Sequence, residues 1–209
     1  MAREGKPPLI LASASPRRRE LLRMASIPLE IVPSHADERF LHGESPKKHV
    51  RRVARAKAMD VAAHHPGRWV LAADTVVEVD GQMLGKPKDR REAEKMLRSL
   101  SQRVHRVLTG YCILRCPSAE KREGTVVSRV KFKALTAAEI RWYINTREPF
   151  DKAGGYAIQG KAAFMVREVH GSYTNVVGLP LCEVMEALRE IGAIGPFKPQ
   201  STRRSQRKE

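Results

Sequence analysis

Residues 69–73, Trp-Val-Leu-Ala-Ala, are apolar without interruption. A strand with one face in water alternates apolar and polar residues. An unbroken run marks a strand buried on both faces, which requires helices on both sides of its sheet. The run predicts a strand ending on Asp74-Thr75, and in open α/β sheets functional groups gather at the carboxyl ends of strands. Residues 9–13 predict a second buried strand, followed by Ser13-Ala14-Ser15-Pro16-Arg17-Arg18. Ser15 suits the cap of a helix and Pro16 its first position. Two arginines then stand where the helix backbone already presents partial positive charge. That placement makes sense if an anion occupies the corner, held by bare amides, two hydroxyls and two guanidinium groups. Two solvated surface arginines are the alternative reading.

The remaining pattern alternates helix and strand. A helix is predicted over 16–25 with Leu21, Leu22 and Ala25 inward, then a short strand at 29–33 and a polar loop at 34–45 holding Asp37 and Glu38. Over 46–64, Val50, Val53, Ala54, Lys57, Ala58 and Val61 share one helical face. Lys57 interrupts this apolar stripe; its stem can snorkel, or its charge can serve a site. Val76 to Val79, Asp80-Gly81 and Met83-Leu84 predict a hairpin. Asp89 and Glu92 predict a capping box for a helix over 90–100. Strands follow near 104–116 and 125–134, and Thr136 and Glu139 open a helix to about 145. Residues 149–161 are glycine-rich and irregular, 164–169 read as a strand, and a last helix over 181–191 stops at Gly192. The expectation is an α/β protein with a mixed central sheet flanked by helices, formed by a single domain over 1–195. Residues 196–209 form a basic tail with a net +4 of the chain's +16.

The rest of that charge belongs to the folded body and favours polyanionic partners. No apolar run approaches the roughly 20 residues of a membrane span. Ala12-Ser13-Ala14 has the look of a signal-peptidase site, but the run before it is shorter than the roughly 7–15 residues a signal peptide needs. A cytoplasmic protein is expected. Cys112, Cys116 and Cys182 are an odd set without a disulfide framework. Cys112 and Cys116 lack a nearby histidine pair, so their spacing does not make a zinc site.

The polar residues at predicted strand ends and loops are Ser13, Ser15, Arg17 and Arg18, then Glu38, Lys57, Asp74, Thr75, Lys86, Asp151, Lys152 and Gln159. Cations bind phosphate oxygens, and carboxylates hold hard divalent cations or accept protons. Together they suit metal-assisted phosphoanhydride hydrolysis, although each is weak alone. No Walker-type loop, no G-x-G-x-x-G after a strand and no H-E-x-x-H is present.

Residues 11–18, Leu-Ala-Ser-Ala-Ser-Pro-Arg-Arg, with Glu20-Leu21-Leu22, resemble the opening motif of the Maf family of nucleotide pyrophosphatases. Residues 73–77 with 84–87 resemble its second block, 105–110 its third, and 151–160 and 171–181 its last two. The blocks stand in family order. The resemblance implies two lobes around a nucleotide cleft in a Maf/ITPase-like fold. It further implies hydrolysis of a nucleoside triphosphate to monophosphate and pyrophosphate with a divalent cation such as Mg²⁺, Mn²⁺ or Co²⁺. By that resemblance Asp74 is the catalytic proton acceptor, and Glu38 and Asp74 lie beside the metal. Arg17, Lys57 and Lys86 hold the triphosphate, with Ser13, Ser15 and Arg18 also on the substrate. Arg17, Thr75 and Gln159 match positions tied to base selection. Residues 152–160 are similar to the dTTP/UTP branch and lack the Phe-Lys-Ser-Glu-like stretch of the 7-methyl-GTP branch. The Gln159 amide donates and accepts at once, which matches a pyrimidine imide edge. A broader hydrolase of modified nucleotides is the second reading. A basic nucleic-acid-binding or cell-division regulatory protein is the third, although the few aromatics weaken a base-stacking surface. A homodimer and weak, non-specific polyanion binding are also implied. The chain departs from the family at Ser101-Gln102, where Ser-Gly is usual, and the tail lies outside the resemblance.

Overall fold

Among the described residues seven strands form one mixed sheet. The computed structural model describes residues 6–118 and 120–195; the tail at 196–209 lies outside the described residues. The strands are β1 (Leu9–Leu11), β2 (Leu29–Ile31), β3 (Trp69–Val79), β4 (Gln82–Leu84), β5 (Val104–Arg115), β6 (Lys121–Phe132) and β7 (Val166–His170). Their order is β2-β1-β3-β5-β6-β7, with β4 also paired to β3. The β2-β1-β3 end is parallel and the rest antiparallel. The helices are α1 (Pro16–Met24), α2 (Pro46–Ala62), α3 (Arg90–Leu100), α4 (Ala137–Asn145), α5 (Tyr173–Val177) and α6 (Leu181–Glu190).

Strand alternation assigns each helix its face. Even-numbered residues of β3 (Val70, Ala72) pack with Ile10, Ala12 and Cys112 against Ala54, Ala58 and Val61 of α2. Odd-numbered Leu71 and Ala73 pack on the opposite side with Leu21 and Leu22 of α1 and Val184 and Leu188 of α6. Farther along that side, Val77 and Val79 meet Leu97 and Leu100 of α3 and Ile140 and Tyr143 of α4. The all-apolar run at 69–73 therefore lies between helices on both faces, as its composition requires.

Several local expectations change. β3 does not end on Asp74-Thr75; it continues to Val79 because β5 pairs with it from Trp69 to Glu78. Ser15 stands at the N-cap position of α1, but its hydroxyl makes no capping hydrogen bond, so the first amides of α1 have no serine cap. Asp89 caps α3 through Glu92 N–H, yet the Glu92 carboxylate accepts from Lys88 N–H rather than from Asp89, so that capping box is only half closed. The box at Thr136 and Glu139 is complete. β6 begins at Lys121 because its polar first residues pair with β5 despite their exposure. Residues 163–165 form a 3-10 turn before β7. The short α5, capped by Ser172, was not expected.

The departure at Ser101-Gln102 has a structural consequence. Gln102 lies at φ +58°, in the left-handed region, where its amide donates to Lys133 O at 3.0 Å. A side chain there costs about 1–2 kcal/mol, while glycine's added chain entropy returns about 0.5–1 kcal/mol. Gln102→Gly is expected to stabilise the fold by about 0.5–1 kcal/mol, read as a higher urea midpoint with unchanged slope.

Candidate active site

The site begins with a gap along the edge of β3. β1 pairs with β3 as far as Leu71, where Ala12 N–H donates to Leu71 O at 2.8 Å. β4 takes up the same edge from Val77. Between them the edge of β3 is left to a cleft of about 1080 Å³. All ten residues expected at the site line it: Ser13, Ser15, Arg17, Arg18, Glu38, Lys57, Asp74, Thr75, Lys86 and Gln159. Asp74 and Thr75 are consecutive, so they project to opposite faces of the sheet.

Asp74 faces α2. Directly across the ladder from it on β5 stands Gly110. A Cβ on Gly110 would lie 2.4 Å from the Val50 carbonyl oxygen, so the bare glycine lets α2 close onto the sheet at this point. α2 is held there by Ser45, whose hydroxyl accepts from Lys48 N–H at 3.3 Å, with Pro46 in its first turn. Lys57 on α2 is buried, and its Nζ lies 2.8 Å from Asp74 Oδ1 and 2.9 Å from Glu38 Oε1. Its charge does not snorkel to water; it joins two carboxylates from separate parts of the chain. Burial alone would push Glu38's carboxyl up, but the hydrogen bond and charge of Lys57, with Lys86 and Arg18 beyond, hold it below its ordinary value. Lys57 and Asp74 are both buried, and removing one member of such a pair leaves an uncompensated charge, typically about 3–5 kcal/mol.

Thr75 faces the other side and meets Arg18. The Arg18 guanidinium donates to Gly178 O at 2.8 Å, Ser13 Oγ at 3.1 Å and Thr75 Oγ1 at 3.2 Å. Thr75 Oγ1 is also 2.9 Å from Thr109 Oγ1, its ladder partner on β5. Ser13 Oγ further accepts from Ser15 N–H at 3.2 Å. The two arginines thus differ. Arg18 ties β3, the loop before α1 and the end of α5 together, while Arg17 reaches across the cleft to Asp151 at 3.4 Å. Burial tends to raise the Asp151 carboxyl, and Lys152 and Arg17 bring it below its ordinary value.

The far wall carries Lys86 and Gln159, both exposed. Gly154 N–H donates to Gly85 O at 2.9 Å, pinning the glycine-rich segment to the loop that bears Lys86. Gly154 lies at φ +68°, and a Cβ there would come within 2.8 Å of Val77, so glycine satisfies both limits. Tyr143 and Glu148 brace Gln159 from either side. Tyr143 Oη donates to Glu148 Oε1 at 2.9 Å and accepts from Ala157 N–H at 3.2 Å, while Glu148 Oε2 accepts from Lys161 N–H at 3.1 Å.

Sequence reasoning missed one group. His49 is buried on α2 with Nε2 3.5 Å from Asp74 Oδ2 and Nδ1 3.2 Å from Glu44 Oε2. Arg52 grips Glu44 through Nε at 2.7 Å and Nη2 at 2.8 Å. Those hydrogen bonds pull the Glu44 carboxyl down to about 2 against its burial. The signal was present: His49 precedes Val53 and Lys57 at i, i+4, i+8 on the same helical stripe. Among the described residues no group of three or more His, Cys, Asp and Glu is arranged to hold a metal. Glu38 and Asp74 do converge as two hard oxygen donors on one ammonium, which suits a cation completed by phosphate oxygens.

A family model described as Maf-like protein matches residues 8–191. The dTTP/UTP pyrophosphatase of Geotalea uraniireducens (strain Rf4) is 53% identical over 195 residues, covering 91% of this chain and 98% of that protein. The dTTP/UTP pyrophosphatase of Syntrophus aciditrophicus (strain SB) is 50% identical over 186 residues, covering 89% and 91%. That of Geobacter sp. (strain M21) is 53% identical over 191 residues, covering 90% and 97%.

Gly110 connects packing to chemistry. Gly110→Ala must push α2 away from β5, moving Lys57 and His49 relative to Asp74. Overpacking of this kind costs about 1–3 kcal/mol, and misplacement by about 1 Å near a reacting group costs about 10²-fold in rate. The variant is expected to fold with a lowered melting temperature and to lose kcat by a larger factor than its population of folded protein, measured by calorimetry beside steady-state turnover.

Proposed function

The chain belongs to the Maf-like protein family, and from that premise we propose that it hydrolyses dTTP and UTP to the nucleoside monophosphate and pyrophosphate. The observation that carries this reading is the convergence of Asp74 and Glu38 on buried Lys57, in a cleft that Arg17 and Lys86 also line. A triphosphate is highly anionic, and preorganised cations are worth most where charge develops on the leaving group.

In the reaction a water oxygen forms a bond to the α-phosphorus, and the bond from that phosphorus to the α–β bridging oxygen breaks. The electron pair leaves with pyrophosphate, and the water's proton passes to Asp74. Arg17, Lys57 and Lys86 bind and orient the phosphates and offset the charge that grows on pyrophosphate. Uncapped amides at the start of α1 and the Ser13 and Ser15 hydroxyls add donors at the same corner. Glu38 and Asp74 would hold a divalent cation, Mg²⁺, Mn²⁺ or Co²⁺, which when bound supplies positive charge against the phosphate oxygens. Gln159, exposed on the braced far wall, reads the imide edge of the base, with Arg17 and Thr75 shaping base choice. A broader range of modified pyrimidine nucleotides is a second reading within this class, supported by the roominess of the cleft at about 1080 Å³.

Residues 1–195 act as the catalytic unit in this reading, working in the cytoplasm. No helix among the described residues is long and apolar enough to cross a membrane. Association as a homodimer and weak polyanion binding through the basic surface and tail belong to the same reading. A nucleic-acid-binding or regulatory role is not favoured: a buried carboxylate at Asp74, with Glu38 beside it on the same lysine, is chemistry that a phosphate-binding surface alone does not call for.

Product analysis tests the proposal. Pyrophosphate and the monophosphate are expected as first products from dTTP and UTP; orthophosphate with the diphosphate would overturn it. Asp74→Asn keeps the shape and removes the proton acceptor, so kcat is expected to fall by about 10²–10⁴-fold at saturating cation, with near-native folding by circular dichroism.

A further inference from the structure

Asp74 lies between two side chains, Lys57 and His49. Its Oδ1 accepts from Lys57 Nζ at 2.8 Å, while Oδ2 faces His49 Nε2 at 3.5 Å. The histidine is itself fixed. Its side chain is only 2% exposed, and Nδ1 lies 3.2 Å from both Glu44 Oε2 and Arg52 Nη2. Its ring meets that of Phe40 with centroids 4.5 Å apart at 55°. Arg52 also donates to the Arg39 carbonyl at 2.9 Å. Phe40 and Arg39 belong to the loop that carries Glu38, so one cluster on the first turns of α2 faces the Asp74 carboxylate and contacts the loop beside Glu38. A core histidine kept only for packing needs neither a bidentate Arg-carboxylate clamp on one nitrogen nor a carboxylate facing the other.

We propose that His49, clamped by Glu44 and Arg52, is a positioning residue that sets the orientation of the Asp74 carboxylate and its register with the Glu38 loop. This rests on the reading of Asp74 as the proton acceptor. With its proton on Nε2 the imidazole turns a donor toward Oδ2, and its bare Nδ1 accepts from Arg52 Nη2, which Glu44 holds in place. Lys57 fixes Oδ1, so the carboxylate plane cannot rotate without losing one of two favourable contacts. The Arg52 bond to Arg39 O and the Phe40 ring carry the same alignment to Glu38. A small misalignment of a reacting group is costly to the chemical step and much less so to nucleotide binding. The signature of this role is therefore a loss in kcat with little change in KM.

The test compares His49→Phe, His49→Gln and His49→Asn in the full chain, with dTTP turnover and urea unfolding measured on each. Phenylalanine keeps the ring beside Phe40 and removes both nitrogens. Glutamine carries its amide near the place of Nε2, and asparagine near that of Nδ1. His49→Phe is expected to lose about 10- to 100-fold in kcat with KM within about 2-fold, and His49→Gln to recover most of that loss. Wild-type kcat in His49→Phe, or a KM rise that accounts for the whole effect, overturns the proposal. If His49→Phe fails to accumulate as folded protein, the amide pair decides. The proposal requires His49→Gln to exceed His49→Asn several-fold in kcat at comparable unfolding midpoints, and equal rates overturn it. Asp74→Asn measured alongside separates the two levels. Retained turnover there removes the premise, whereas lost turnover there with unaffected His49 variants removes only the positioning role.

Discussion

The Lys57 ammonium, bonded at once to Asp74 and Glu38, is the contact on which the rest of the site depends. Lysine is rarely this buried, and two ionised carboxylates would repel each other across the cleft without it. The triad also joins three separate pieces of chain: β3, α2 and the 33–45 loop. Neither carboxylate could be held near the other by local sequence, since they are 36 positions apart. A charge inserted into an apolar helical stripe converts an ordinary sheet-covering helix into the part that assembles the site.

That insertion works only because the sheet is thin under α2. The Val50 carbonyl sits where a side chain on Gly110 would be, and Gly110 is the ladder partner of Asp74. Helix and sheet thus approach closely beside Asp74. Period-two alternation completes the division of labour. Asp74, Lys57 and His49 lie on the α2 face, while Thr75, Arg18 and Ser13 lie on the other, where their hydrogen bonds fix the loop entering α1. Two adjacent residues of one strand thus face the Lys57 ion cluster on one side and the Arg18 hydrogen-bond cluster on the other.

The layout was legible where a pattern is short-range. The apolar run at 69–73, the stripe on α2 and the hairpin at Asp80-Gly81 all depend on neighbours within a few positions, and they appear as read. Residues that depend on distant partners were less legible. Asp74 was placed at a strand end because the polar pair looks like a terminus; pairing with β5 carries the strand through it, and the real opening is the end of β1 on the neighbouring edge. Ser15 has the composition of a cap, but its loop turns on Ser13 instead. His49 is not legible in the sequence because a lone histidine on an amphipathic helix carries no meaning without Glu44, Arg52 and Asp74 around it.

The paired arginines illustrate why composition alone overcounts a binding site. Sequence reading gives Arg17 and Arg18 the same task, since both follow the same turn. In the structure three nitrogens of Arg18 are committed to carbonyl and hydroxyl acceptors of the protein, which holds Gly178, Thr75 and Ser13 in one cluster. Arg17 keeps only a 3.4 Å contact with an exposed aspartate. A guanidinium with a weak, exposed partner can exchange it for a phosphate at little cost, whereas one with three internal hydrogen bonds cannot leave them without stranding their acceptors. The turn before α1 is therefore built from unequal parts: under the proposed function one arginine is available to a phosphate, and the other holds the turn that carries it.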